Sequence, residues 1–153
     1  MKTCCFSGHR IISDDIVSSV NNRLFNLINK AIYNGYSHFI SGFAKGVDLM
    51  AASIIINLKE YDAYSNITLE ASIPYRGLIK KREPEFQALL KNCDSIDIVS
   101  ENYFVGCMQK RNLAMIEKSD MLIAVYDGRN TGGTKFTIQK AKERGLEVAI
   151  IEI

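Results

Sequence analysis

Short apolar runs alternate with longer stretches whose apolar residues recur every three or four positions, and the alternation repeats about six times along the chain. Thr3 to Phe6 reads as a first strand. Residues 14 to 33 carry Ile16, Val20, Leu24, Leu27, Ile28 and Ala31 at helical spacing. Ser13 is its expected N-cap, Asp14 and Asp15 suit the positive end of its dipole, and Gly35 is its stop. Ser37 to Ser41 is a second strand, and the segment from Val47 to about Leu58 a second helix. Residues 59 to 66 read as an exposed loop. Ile67 to Ile73 is a third strand ended by Pro74, followed by a helix between Leu78 and Lys91 whose first turn Pro84 marks. Ser95 to Val99 is a short strand, Phe104 to Lys118 a helix, and Met121 to Tyr126 an apolar strand suited to burial on both faces. Thr134 to Arg144 and Glu147 to Ile153 close the pattern as helix and strand.

Such alternation predicts an α/β fold: a Rossmann-like three-layer α/β/α sandwich around a mostly parallel sheet of about six strands. With 153 residues, residues 1–153 are expected to form one domain with one core. The hydrophobic fraction of 47% and charged fraction of 24% exclude disorder as the main state. A net charge of +2 argues against the whole surface attracting nucleic acid. No apolar run reaches the ~20 residues of a membrane span. The opening Met1 to Phe6, followed at once by Ser-Gly-His-Arg, is too short and polar for a signal peptide, so a cytoplasmic location is expected. Cys4, Cys5, Cys93 and Cys107 form no Cys-x-x-Cys pair, and no histidines stand at zinc spacing. Reduced thiols packed as small hydrophobes are expected, and no metal site. Cys4 and Cys5, neighbours in a strand, should face opposite sides of the sheet.

In a parallel sheet each strand-to-helix turn lies at the carboxyl edge, where ligands bind. The first strand is followed by Ser7-Gly8-His9-Arg10, and the second by Ser41-Gly42-Phe43-Ala44-Lys45-Gly46-Val47-Asp48. The apolar strand Met121 to Tyr126 is followed by Asp127-Gly128, then Thr131-Gly132-Gly133-Thr134. Each turn combines glycine with a hydroxyl or a cation. Glycine lets backbone N–H groups approach an anion, and a helix N-terminus beyond adds unpaired donors and positive dipole. Arg10 offers a forked, permanently charged donor. An anionic ligand, a nucleotide phosphate, is expected. The pattern is neither the dinucleotide Gly-x-Gly-x-x-Gly nor the Gly-Lys-Ser/Thr of a Walker A loop. His9 suits ligand binding or proton transfer, while His38, inside a strand, reads as a packed and satisfied side chain. Tyr75 either stacks on a base or closes its loop, and Arg76 beside it suits a phosphate. Lys80-Lys81-Arg82 reads as a solvated basic face.

These stretches resemble the SLOG superfamily, which unites the DNA-processing protein DprA (Smf), the LOG phosphoribohydrolases and the small YpsA-like proteins. "SGFAKGVDLMAA" at 41 to 52 is similar to the Ser-Gly-x-Ala-x-Gly-x-Asp stretch of DprA. Arg111-Asn112 in "QKRNLAMIEKSDMLIAV" is similar to its Arg-Asn, and "GGTKFTIQKAKERGLEV" at 132 to 148 to the loop and helix that follow. "FSGHR", "YRGL" and "AVYDGRNTGGTKFT" look nearest the YpsA-like branch. The resemblance implies a nucleotide or nucleotide-derived ligand, with Gly132, Gly133 and Thr134 cradling phosphate. Ser7, Gly8 and Arg10 would line the opposite wall, and Gly42 and Gly46 would let the second turn come close. Asp48 would bond a sugar hydroxyl or cap its helix; Arg111 would reach phosphate or pair with an acid such as Glu117. Asn112, Asp127 and Gly128 complete the expected ligand-binding set.

LOG hydrolases carry Pro-Gly-Gly-x-Gly-Thr-x-x-Glu, whose glutamate assists loss of the base. Aligned on Gly133-Thr134, that glutamate becomes Thr137 and the leading glycine pair becomes Asn130-Thr131. Threonine supplies no carboxylate charge or base. The sequence therefore predicts a sensor, sequestering or regulatory module that requires no cofactor. Two alternatives stand beside it: an N-glycosidic phosphoribohydrolase-type enzyme with Asp48 and Arg111 as candidate catalytic residues, and a DprA-like binder of single-stranded DNA. A homo-oligomer formed through the helices at 16 to 33 or 104 to 118 is a further expectation, with no membrane partner.

Overall fold

Near-continuous burial in the central strands and one-sided burial in the helices fit six parallel strands with helices on both faces. The computed structural model describes residues 1–153. The strands are β1 (Lys2–Ser7), β2 (Tyr36–Ser41), β3 (Thr68–Ile73), β4 (Ser95–Ile98), β5 (Met121–Tyr126) and β6 (Glu147–Glu152). The helices are α1 (Val17–Tyr33), α2 (Val47–Lys59), α3 (Pro84–Lys91), α4 (Cys107–Glu117) and α5 (Gly133–Glu143). The sheet runs β4-β3-β2-β1-β5-β6, and every neighbouring pair is parallel. Strand order therefore reverses between β1 and β5, which opens a crevice at their carboxyl ends.

The larger core lies under α1, α2 and α3 and includes Cys4, Phe6, Phe39, Leu24, Ile28 and Ile55. The smaller one lies under α4 and α5 and includes Cys5, Ile40, Met115, Leu122 and Ile138. Cys4 and Cys5 thus face opposite sides, as strand alternation requires. All four cysteines are free, and burial pushes the Cys5 thiol up to about 12, so it packs as a small hydrophobe. No helix is long and apolar enough to cross a membrane.

Several boundaries differ from the sequence pattern. The first helix begins at Val17 behind Ile16, not at Ser13; the Ser13 hydroxyl bonds Asp15, so it offers no cap to the helix amides. Helix α4 begins at Cys107, because the chain enters it through Gly106 in a left-handed conformation. Within 59 to 66, α2 reaches Lys59 and Asp62–Tyr64 make a 3-10 turn. Pro84 is the first helical residue of α3, as its fixed φ favours. Lys80 and Lys81 are exposed, but Arg82 is not part of a solvated face. Its side chain lies over the Phe86 ring and donates to the Phe43 carbonyl at 3.0 Å. His38 is satisfied as expected, by Thr68 Oγ1 at 2.7 Å and Glu70 at 3.2 Å.

Candidate functional site

The turn after β5 reaches α5 through Gly132, whose φ of 103° suits glycine alone, and no side chain caps the helix. The first backbone bond of this stretch runs from Phe136 N–H to the Gly132 carbonyl. The amides ahead of Phe136 therefore point out of the helix end without intrahelical partners. The turn after β1 lies beside it, because β1 and β5 are paired from Cys4–Met121 to Ser7–Ala124. The turn after β2 approaches from the other side. There Val47 N–H donates to the His9 carbonyl at 3.3 Å, and a Cβ on Gly46 would fall 2.4 Å from that same oxygen. Only a glycine lets these two turns dock. Phe43, the one non-glycine residue with positive φ (55°), is held in place by full burial, by edge-on packing against Phe86 and by a bond from its N–H to Ser41 Oγ.

The three turns meet around a cleft of about 600 Å³, within the range of small-ligand sites. Of the expected residues, Ser7, Gly8, His9, Arg10, Asp48, Arg111, Asn112, Gly132, Gly133 and Thr134 line it. Gly42, Gly46, Asp127, Gly128 and Tyr75 do not. Gly42 lies behind the wall, where a Cβ would fall 2.8 Å from Asp48 Oδ2 and 2.9 Å from Arg111 Nη1. Tyr75 packs edge-on against Tyr103 instead, and Arg76 forks onto Glu101 at 2.7 and 2.9 Å, so their chemistry is used outside the cleft. Six lining residues lie outside the expected set: Phe6 in β1, Ile11 and Ala44 from the first two turns, Met108 and Gln109 on α4, and Arg129 in the turn after β5.

Asp127 acts through others. Its carboxylate is gripped by Arg129, which holds it well below the usual range, and its N–H donates to His9 Nε2 at 3.0 Å. A proton on Nε2 would point at that N–H, so His9 is the neutral tautomer with its proton on Nδ1. Burial lowers its pKa in the same direction, although Asp127 Oδ1 stands 3.2 Å away.

Arg111 is 4% exposed and spans the floor. It donates from Nη1 to the Gly42 and Ser72 carbonyls and from Nε to Asn112 Oδ1 at 2.9 Å. Of the two alternatives for Arg111, the pairing with Glu117 is not made; Glu117 bonds Arg144 instead. With its oxygen taken by Arg111, the Asn112 amide turns its nitrogen toward Gly133, 3.8 Å from where a Cβ would stand. Asn112 therefore adds donors beside the α5 amides. Asp48, 6% exposed, is the one acid lining the cleft. Burial raises its carboxyl to about 6, and Arg111 opposes the rise. Its Oδ2 accepts the Ala44 N–H at 3.2 Å, in the turn before α2 rather than within the helix.

A raised pKa means that stability is fully present below the unfolded value of 3.8 and is lost as pH rises through about 6. Asp48→Asn, neutral at every pH, should escape that loss. Relative to wild type, the variant should gain roughly 2 kcal/mol in urea unfolding between pH 4 and pH 7. A pH-independent difference would contradict the burial of an ionised Asp48.

A model described as the YspA SLOG family matches residues 9–151. The chain belongs to this family. Among curated relatives, it is 24% identical over 135 residues to a UPF0398 protein of Bacillus thuringiensis (strain Al Hakam), covering 84% of this chain and 72% of the relative. It is 25% identical over 132 residues to one of Bacillus anthracis (strain A0248), covering 77% and 71%. Of solved structures, DNA processing protein A from Streptococcus pneumoniae superposes with a TM-score of 0.70 at 19% identity, over 97% of this chain and 50% of that one. The chain thus spans about half the length of that protein. The DNA processing protein A of Helicobacter pylori, described by its single-stranded DNA binding mode, gives 0.68 at 16% identity, over 97% and 64%. TM1055 gives 0.61 at 16%, over 97% and 72%. These neighbours share the fold.

In this YspA SLOG chain Thr137, which the sequence alignment sets against the LOG glutamate, is fully buried and its hydroxyl bonds the Gly133 carbonyl at 2.8 Å. It sits on the buried face of α5 and does not line the cleft. Thr137→Glu should therefore lower stability by roughly 3 kcal/mol or more through an unpaired buried acid. It should create no hydrolase; thermal unfolding and a base-release assay check both halves.

Proposed function

We propose that the cleft binds the phosphate of a nucleotide or nucleotide-derived ligand, and that the protein acts as a sensing, sequestering or regulatory module. The supporting observation is the meeting of three turns at the reversal of strand order, with the uncapped α5 end, Asn112 and Arg10 on one cleft. Oriented amides and the Arg10 guanidinium favour a compact anion there. Isothermal titration with nucleotides, ADP-ribose species and cyclic dinucleotides tests the reading. At least one phosphate-bearing compound should bind with one-to-one stoichiometry, and silence across the panel would remove the proposal.

One observation favours a hydrolytic second reading: Asp48, raised to about 6, stands in the cleft as an acid able to exchange protons near neutrality. Free base released from a nucleoside monophosphate, and lost in Asp48→Ala, would establish it. The ssDNA binding described for the Helicobacter pylori neighbour puts an oligonucleotide in the same panel, where a steep salt dependence would mark that mode.

A further inference from the structure

The wall on the β2 side of the cleft differs in kind from the wall on the β5 side. The α5 end offers amide donors and no acid; across the β1 turn stands the lone carboxylate, Asp48. Only its Oδ2 is bonded within the protein, to Ala44 N–H. Oδ1 has no protein partner, yet it is not sealed, since the one sealed and unpartnered side-chain polar atom is Ser100 Oγ. Asp48 lines the cleft, and Oδ1 is its carboxylate oxygen left free for a ligand there. Arg111 beside it bonds through Nη1 and Nε, which leaves Nη2 without a protein partner. Both residues are more than nine-tenths buried, so their open atoms are fixed by the fold.

This wall repels a phosphate at Asp48 and presents one strong acceptor next to one strong donor. A cis-diol matches that pair: one hydroxyl donates to the carboxylate while its neighbour accepts from the guanidinium. We propose that Asp48 Oδ1 and Arg111 Nη2 read the 2′,3′-diol of a ribose whose phosphate rests on the α5 end, so that the site takes ribonucleotides or ribose phosphates and rejects 2′-deoxy counterparts. This rests on the phosphate reading above. With its carboxyl at about 6, Asp48 is mainly an ionised acceptor at pH 7.5.

The test is titration at pH 7.5 of ribose 5-phosphate and the four ribonucleoside 5′-monophosphates against their 2-deoxy and 2′-deoxy counterparts, with wild type and Asp48→Asn. Wild type should bind the best ribo compound at least about tenfold more tightly than its deoxy partner, because a deoxy ligand leaves a buried charged group unpaired. Asp48→Asn should bring the pair within about threefold by weakening the ribo compound. Equal binding by wild type overturns the diol assignment and leaves the phosphate reading standing. A preference that persists in Asp48→Asn also overturns it. If none of these compounds binds while another phosphate compound does, the ribose assignment fails alone; if nothing binds, both fail.

Discussion

Gly46→Ala is expected to cost at least about 4 kcal/mol and to lower the melting temperature by on the order of 10 °C. Two effects add. The backbone at Gly46 has φ 80° and ψ −123°, a region that L side chains scarcely enter. The new Cβ would also fall 2.4 Å from the His9 carbonyl and 2.7 Å from that of Arg10, neither of which is a flexible side-chain tip. The turns after β1 and β2 would have to separate, and the Val47–His9 bond would break. Gly128→Ala is the control: φ is 84° there, but nothing lies within 4 Å of a Cβ, so only the conformational cost of about 1–2 kcal/mol remains. Equal losses in the two variants, read by thermal and urea unfolding, would show that the first two turns are not docked as described.

Arg111→Ala should cost roughly 3 kcal/mol or more and abolish ligand binding in the same variant. Removal of the guanidinium leaves the Gly42 and Ser72 carbonyls without their donor and frees Asn112 to rotate. It also withdraws the charge that most strongly opposes protonation of Asp48, so that carboxyl should rise further. Arg111→Lys separates geometry from charge. A single ammonium on a flexible stem cannot bond both carbonyls and Asn112 together, so lysine should rescue little. Recovery of stability and binding by lysine would mean that charge alone matters at this position.

The architecture was legible because it rests on local periodicity. Helix α1 buries Val20, Leu24, Ile28 and Ala31 on one stripe, and β5 is apolar on both faces because helices cover both. The three glycine turns were legible too, since a parallel sheet puts every such turn on one edge. What escaped depends on side chains meeting across the fold. Arg129 carries no periodic signal; it matters because Asp127 and the β1–β5 pairing bring it to the cleft. Arg82 looked like surface charge in Lys80-Lys81-Arg82, but Phe43 and Phe86, distant in sequence, give it a ring and a carbonyl. Tyr75 sits after β3, on the right edge but on the far side of β2 from the switch point. Arg111 falls on the buried stripe of α4 with Cys107 and Met115, and a cation on an apolar stripe points inward to partners.

The most direct test of the account is an amide NMR titration of the wild-type protein with AMP and with ribose 5-phosphate. The amides of Gly8, Gly133 and Thr134, drawn from two separate turns, should shift together along one saturable isotherm, with Asn112 side-chain amide signals following the same curve. Shifts confined to other parts of the chain, or two turns responding with unrelated affinities, would contradict a single shared anion site.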